Sequence, residues 1–132
     1  MVFTTTYADG SFGGMEVYME LNFEKRGGIL IVRISGELDH HFSEEIRRRI
    51  DNEVLRSPFR HVLFDFNGLS FMDSSGIGML MGRYRTIAHL GGKAWIICNN
   101  SRVARILEMS GVFQYIHRED SLESALQKCQ AG

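Results

Sequence analysis

With 132 residues, 44% of them hydrophobic, the chain has the length and composition of one globular domain with its own core. A formal net charge of −1 excludes the strong positive field that would draw nucleic acid or an acidic membrane surface. The two cysteines, Cys98 and Cys129, do not amount to a disulfide framework and fit a reducing cytoplasm; no apolar run nears the roughly 20 residues that cross a bilayer.

The amino-terminal end lacks a basic start followed by an apolar stretch, so it does not read as a secretory signal. Residues 1–14 are rich in Thr, Gly and Ser without a sustained period, and residues 1–18 read as a flexible extension ahead of one domain over 19–130. The folded part is expected to begin at Met15 or Met19. Residues 19–24 alternate apolar and polar, as a half-exposed strand does. Gly27 and Gly28 mark a turn, and Ile29, Leu30, Ile31, Val32 and Ile34 form a better buried strand that pairs with the first as a hairpin. Phe42, Ile46, Ile50 and Val54 then recur every fourth residue, with Ser43, Glu44 and Glu45 as a polar first turn of a helix. Arg47, Arg48 and Arg49 read as its solvated face rather than a nucleic-acid patch.

Ser57 and Pro58 end that helix, because a residue before proline avoids the α region. Val62, Leu63, Phe64, Asp65 and Phe66 suit a strand. After it comes Phe71-Met72-Asp73-Ser74-Ser75-Gly76-Ile77-Gly78, which opens a helix whose Ile77, Leu80, Tyr84, Ile87 and Ala88 form a stripe expected to face a sheet. A second stripe, Ser74, Gly78, Gly82 and Arg85, is bare of large side chains except at its end. Each interior glycine costs about 0.8–1 kcal/mol relative to alanine, so the bare stripe implies that another surface comes close, either of this chain or of a partner. Gly91 and Gly92 stop the helix. Residues 94–98 form a strand, Ser101 caps a short helix closed by Gly111, residues 114–117 form a strand, and Ser121 caps a last helix. The order β-β-α-β-α-β-α-β-α predicts an α/β fold: a mostly parallel sheet of four to five strands, with an antiparallel edge strand and about four helices. In such sheets function gathers at the carboxyl ends of the strands, where Asp39 and the Asp73-Ser74 pair both fall.

Four chemistries could be placed at this turn. A nucleophile elbow needs a glycine two residues before the serine, and Met72 stands there. Gly76, Gly78 and Gly82 miss the dinucleotide-binding spacing, Asp73 would repel a diphosphate, and no Gly-Lys-Ser/Thr run is present. His40 and His41 are adjacent and His61, His89 and His117 isolated, so neither a metal nor any other cofactor is implied. A phosphoacceptor serine fits better. The first N–H groups of a helix lack intrahelical partners and carry partial positive charge, so a phosphoryl group on Ser74 is tolerated where it sits and acts outward. The simpler alternative is that Ser74 only caps the helix.

Gly36-Glu37-Leu38-Asp39-His40-His41, Leu69-Ser70-Phe71-Met72-Asp73-Ser74-Ser75-Gly76-Ile77-Gly78, Gly82-Arg83-Tyr84 and Met109-Ser110-Gly111-Val112-Phe113 together resemble the anti-sigma-factor antagonists, which share the STAS fold. The resemblance runs from about residue 19 to 129 and leans to the branch that acts on the sporulation anti-sigma factor; residues 1–18 have no counterpart in it. It implies a non-enzymatic regulator. In that family the serine after the box aspartate, here Ser74, is phosphorylated by the anti-sigma factor, a serine kinase using ATP. The unphosphorylated antagonist binds the ADP-bound kinase and frees the sigma factor, and a protein serine phosphatase resets the switch. Matched residue by residue, the partner-binding surface comprises Asp39, Asp73, Ser74, Ser75, Gly76, Gly78 and Gly82, with Ser75 a poorer acceptor than Ser74. A general-stress sigma-factor antagonist of the same family and a small nucleotide-binding or hydrolytic α/β domain stand as the alternatives.

Overall fold

The computed structural model describes residues 2–12, 15–56 and 58–131, with side chains described for 19–56 and 58–128. Strands β1 (Val2–Phe12), β2 (Met15–Arg26) and β3 (Ile29–Leu38) form an antiparallel meander. Helix α1 (His40–Arg56) then crosses to β4 (His61–Asp65), which pairs in parallel with the first half of β3. The chain jogs at Asn67 and Gly68 and runs on as β5 (Leu69–Met72), in parallel with the second half of the same β3. Helix α2 (Ser74–His89), β6 (Ala94–Ile97), α3 (Ser101–Ser110), β7 (His117–Glu119) and α4 (Leu122–Ala131) complete the order. The sheet runs β1-β2-β3-β4-β6-β7, with β5 beside β3.

Alternation along the strands divides the core. Leu30 and Val32, Val62 and Phe64, and Ala94 and Ile96 point to one face, where they meet Ile46 and Ile50 of α1, Leu80 and Ile87 of α2, and Val103 and Leu107 of α3. Ile29, Ile31, Leu63, Trp95 and Ile97 point to the other, covered by Leu122, Ala125 and Leu126 of α4. Strands buried on both faces explain the unbroken apolar runs of β3 and β6.

The parallel centre, antiparallel edge and four helices agree with the sequence reading, and three features differ. Among the described residues the sheet has seven strands rather than four or five. Residues 2–12, expected in a flexible extension, pair along β2, and β2 begins at Met15; the run Val2, Phe3, Thr4, Thr5, Thr6 and Tyr7 is rich in strand-forming residues, which override the lack of a period. The last strand is shifted: Gln114 lies in a 3₁₀ turn (Val112–Gln114), and pairing with β6 starts at His117.

The helix starts differ as well. Helix α1 begins at His40, ahead of the expected acidic turn, and Asp39 Oδ1 accepts the His41 N–H at 2.9 Å. Asn100, not Ser101, caps α3 by accepting from Arg102 and Val103. Ser121 caps α4 as expected, accepting from Ser124 N at 3.0 Å. Gly111 closes α3 in the left-handed conformation that glycine tolerates.

Candidate functional site

The site is built by strand register. Leu38, the last residue of β3, pairs with Met72, the last residue of β5, and both are buried. Asp39 and Asp73 therefore leave the sheet side by side, and each starts a helix. Asp73 has the extended backbone of an N-cap, and its Oδ1 accepts from Ser75 N at 2.9 Å and Gly76 N at 3.3 Å. Its Oδ2 turns the other way and accepts from His40 N at 3.1 Å, in the first turn of α1. The Asp73 N–H donates to Leu38 O at 3.3 Å. One carboxylate thus joins the starts of two helices.

Because Asp73 is the cap, Ser74 is not. Ser74 is exposed, and its hydroxyl makes no hydrogen bond among the described residues. Ser75, one residue on, is half-buried and its N–H is taken by Asp73.

The three glycines of the motif part company. A Cβ on Gly78 or Gly82 would meet nothing within 4 Å, so among the described residues no neighbour of this chain explains the bare stripe. Gly76 is buried: a Cβ there would lie 3.0 Å from Leu38 O and from Met72 Cγ. It lets α2 start close against the end of β3 and offers no outward surface. Asp39 and Asp73 are not free surface acids: both carboxylates are engaged by backbone N–H groups.

Helix α2 is rotated relative to the expected stripe. Gly76, Met79, Leu80 and Ile87 are its buried residues; Ile77 and Tyr84 are half-buried and Ala88 is exposed. The shift comes from α1, which packs along the side carrying Met79 and Arg83. Between the two helices lies a groove of about 300 Å³ bordered by His40, Ser43, Arg47, Ser75, Gly78 and Arg83. The Arg83 side chain is 11% exposed, with Nε 2.8 Å from Asp51 Oδ1. That distance is an ion pair, yet Nε and Nη1 are buried and make no hydrogen bond among the described residues. Burial pushes the guanidinium pKa down and Asp51 opposes it. Asp51 also pairs with Arg47.

The sequence reading missed His40 as a backbone donor, Arg83 as a buried charge, and Phe71, which is 39% exposed on β5 near the turn. The first left no signal, since any residue but proline supplies an N–H. Arg83 stands in the Gly82-Arg83-Tyr84 run, and Phe71 in the stretch from Leu69 to Gly78. No group of three or more His, Cys, Asp or Glu suited to a metal occurs among the described residues. No helix there is long and apolar enough to cross a membrane. Cys98 is free and buried, and burial raises its thiol pKa; the side chain of Cys129 lies outside the described residues.

Comparison with known proteins supports the same assignment. The STAS domain family matches residues 20–125. An anti-sigma F factor antagonist of Paenibacillus polymyxa is 40% identical over 108 residues, which is 82% of this chain and 92% of that protein. The solved structure of the anti-sigma factor antagonist SpoIIAA in its unphosphorylated form matches with a TM-score of 0.74 at 27% identity, over 85% of this chain and 97% of that one. Phosphorylated SpoIIAA of Bacillus matches with a TM-score of 0.65 at 28% identity, over 82% and 97%. With the paired strand ends, twin helix caps and Asp-Ser-Ser-Gly turn in place, this chain belongs to the STAS-domain family, among its anti-sigma factor antagonists.

Proposed function

We propose that this chain is a phospho-switched antagonist acting in the cytoplasm. With Ser74 unmodified, it docks on an ADP-bound anti-sigma serine kinase and releases the sporulation sigma factor. With ATP bound, the kinase transfers the γ-phosphoryl group to Ser74 Oγ: the Oγ–P bond forms as the bond from the γ-phosphorus to the β,γ-bridging oxygen breaks and leaves ADP, and the hydroxyl proton passes to a base of the kinase. A serine phosphatase later hydrolyses the ester. The name of the Paenibacillus relative favours the sporulation branch over the general-stress one.

One observation carries this reading: at the start of α2 the capping work is done by Asp73, which leaves the Ser74 hydroxyl exposed and uncommitted. The open surface at Gly78 and Gly82, further along the same helix, and the exposed ring of Phe71, three residues before Ser74, favour close docking. A phosphoryl group adds about −1.5 to −2 charge at this spot. Against a docked surface, a like-charge or desolvation cost of a few kcal/mol lowers affinity more than tenfold.

The experiment is to incubate the chain with the anti-sigma F factor of its organism and ATP, then map the modified residue by mass spectrometry. Label on Ser74 alone is expected. Ser74→Ala should bind the ADP-loaded kinase and take no label, while Ser74→Asp should bind more than tenfold more weakly. Label elsewhere, or equal affinity of the two variants, would falsify the charge switch.

A further inference from the structure

We infer that Asp73 is a positioning residue: it clamps the start of α1 to the start of α2, so that the loop at Asp39 and the hydroxyl of Ser74 present themselves to a partner as one rigid surface. The inference rests on the docking role proposed for Ser74 and adds a residue that works through its neighbours.

The two carboxylate oxygens have separate tasks. Oδ1 caps α2 through Ser75 N and Gly76 N, and Oδ2 holds His40 N at 3.1 Å. The second bond joins residues 33 apart in sequence, so it sets the spacing between two helices rather than the start of one. Around it the fit is close. Asp73 N donates to Leu38 O, and Gly76 is packed against Leu38 O and Leu38 Cγ. Asp39 caps α1 through His41 N, so the loop that the clamp holds is itself ordered. A surface preorganised in this way loses less freedom on docking than one whose two loops must be brought together. Both Asp73 oxygens are held by backbone N–H groups of the two helix starts, so the carboxylate is fixed in place before any partner arrives.

The division of labour makes the inference testable from both ends of the bond. Asp73→Asn keeps an oxygen for the α2 cap and turns an amide towards His40 N, donor against donor. His40→Pro removes the N–H itself. His40 is the first residue of α1, where proline is well tolerated, and Asp39 before it is the N-cap, where backbone is extended. His40→Ala keeps the N–H and removes the imidazole, which is 82% exposed with Nδ1 3.9 Å from Asp73 Oδ2.

In the full chain, affinity for the ADP-loaded anti-sigma F factor and amide exchange over residues 38–43 and 73–77 are measured together. Asp73→Asn and His40→Pro should each weaken binding about tenfold, the ratio for losing one charge-assisted hydrogen bond. Their double variant should be little worse than either, since both cut one bond. His40→Pro should bind about tenfold more weakly than His40→Ala, which also lacks the imidazole but keeps the N–H, and protection at Ser75 and Gly76 should survive in Asp73→Asn. A residue that only stabilised the fold would lower the melting temperature without this pattern. Binding by His40→Pro equal to that of His40→Ala overturns the inference, as does unchanged exchange at His40 in Asp73→Asn. If the parent chain neither binds nor is labelled, the switch reading falls on its own, while exchange still judges the clamp.

Discussion

Gly76 and Gly78 stand two residues apart on α2 and meet opposite surroundings. A methyl on Gly76 would press on Leu38 O, which is backbone and cannot swing aside, and on Met72 Cγ. Overpacking of this kind costs about 1–3 kcal/mol, against about 1 kcal/mol recovered from helix propensity. Gly76→Ala should therefore lower stability, by about 1 kcal/mol net. A methyl on Gly78 meets nothing within 4 Å, so Gly78→Ala should raise stability by about 0.8–1 kcal/mol while weakening affinity for the anti-sigma factor. Urea unfolding of the two variants, with binding measured beside it, separates a glycine kept for the fold from one kept for the surface. Equal effects of the two substitutions would show that the open space at Gly78 carries no docking role. The motif could not reveal this difference, because glycines spaced two apart read alike until the end of β3 is known to lie beneath one of them.

At the scale of elements, what was legible follows from burial. Strands β3 and β6 are apolar on both faces, and α1 buries Phe42, Ile46 and Ile50 every fourth residue, so their periods are written plainly. The short β5 was not legible: of its four residues only Leu69 and Met72 are buried, and the jog at Gly68 is a contact with Ser35, which is remote in sequence. The stripe on α2 was displaced because its buried side includes Arg83, a residue that hydrophobic periodicity counts as outside. Choosing between Asp73 and Ser74 as the cap needed backbone geometry, since both residue types cap well.

The opposite end of the central strands carries a pH-dependent element. His61 at the start of β4 is 4% exposed, and its Nδ1 accepts the Lys93 N–H at 3.0 Å, which requires a neutral ring protonated on Nε2. Burial pushes its pKa below the usual histidine range, and the charges of Arg60 and Lys93 push the same way. The unfolded chain therefore takes up the proton first as pH falls. The stabilising effect is complete above about pH 6.5 and declines below it towards the folded-state pKa. Urea midpoints at about pH 7.5 and pH 5.5 should differ more for the parent than for His61→Asn, whose Oδ1 replaces the acceptor without titrating. Trp95 lies against His61 with ring centroids 5.5 Å apart and offers a fluorescence probe of the step. Parallel losses in both proteins would assign the pH dependence elsewhere.

At the scale of the molecule, the site sits where the fold can accept a charge without being remade. The ends of β3 and β5 are anchored by Leu38 and Met72 in the main core, and the starts of α1 and α2 project from them. An anion at the start of a helix is stabilised by about 0.3–1 kcal/mol through the helix dipole. Repulsion from Asp73 offsets part of this, since its carboxylate is held at the same helix start. Ser74→Asp should accordingly change the melting temperature by no more than a few degrees, while under the proposed switch it should lower affinity for the ADP-loaded kinase more than tenfold. Calorimetry and binding on one preparation test the separation. If the melting temperature fell in step with affinity, the switch would be working through loss of structure at α2, and the outward action of the charge would have to be abandoned. If stability holds while binding is lost, the partner reads the charge directly, on a surface whose shape is the same in both states.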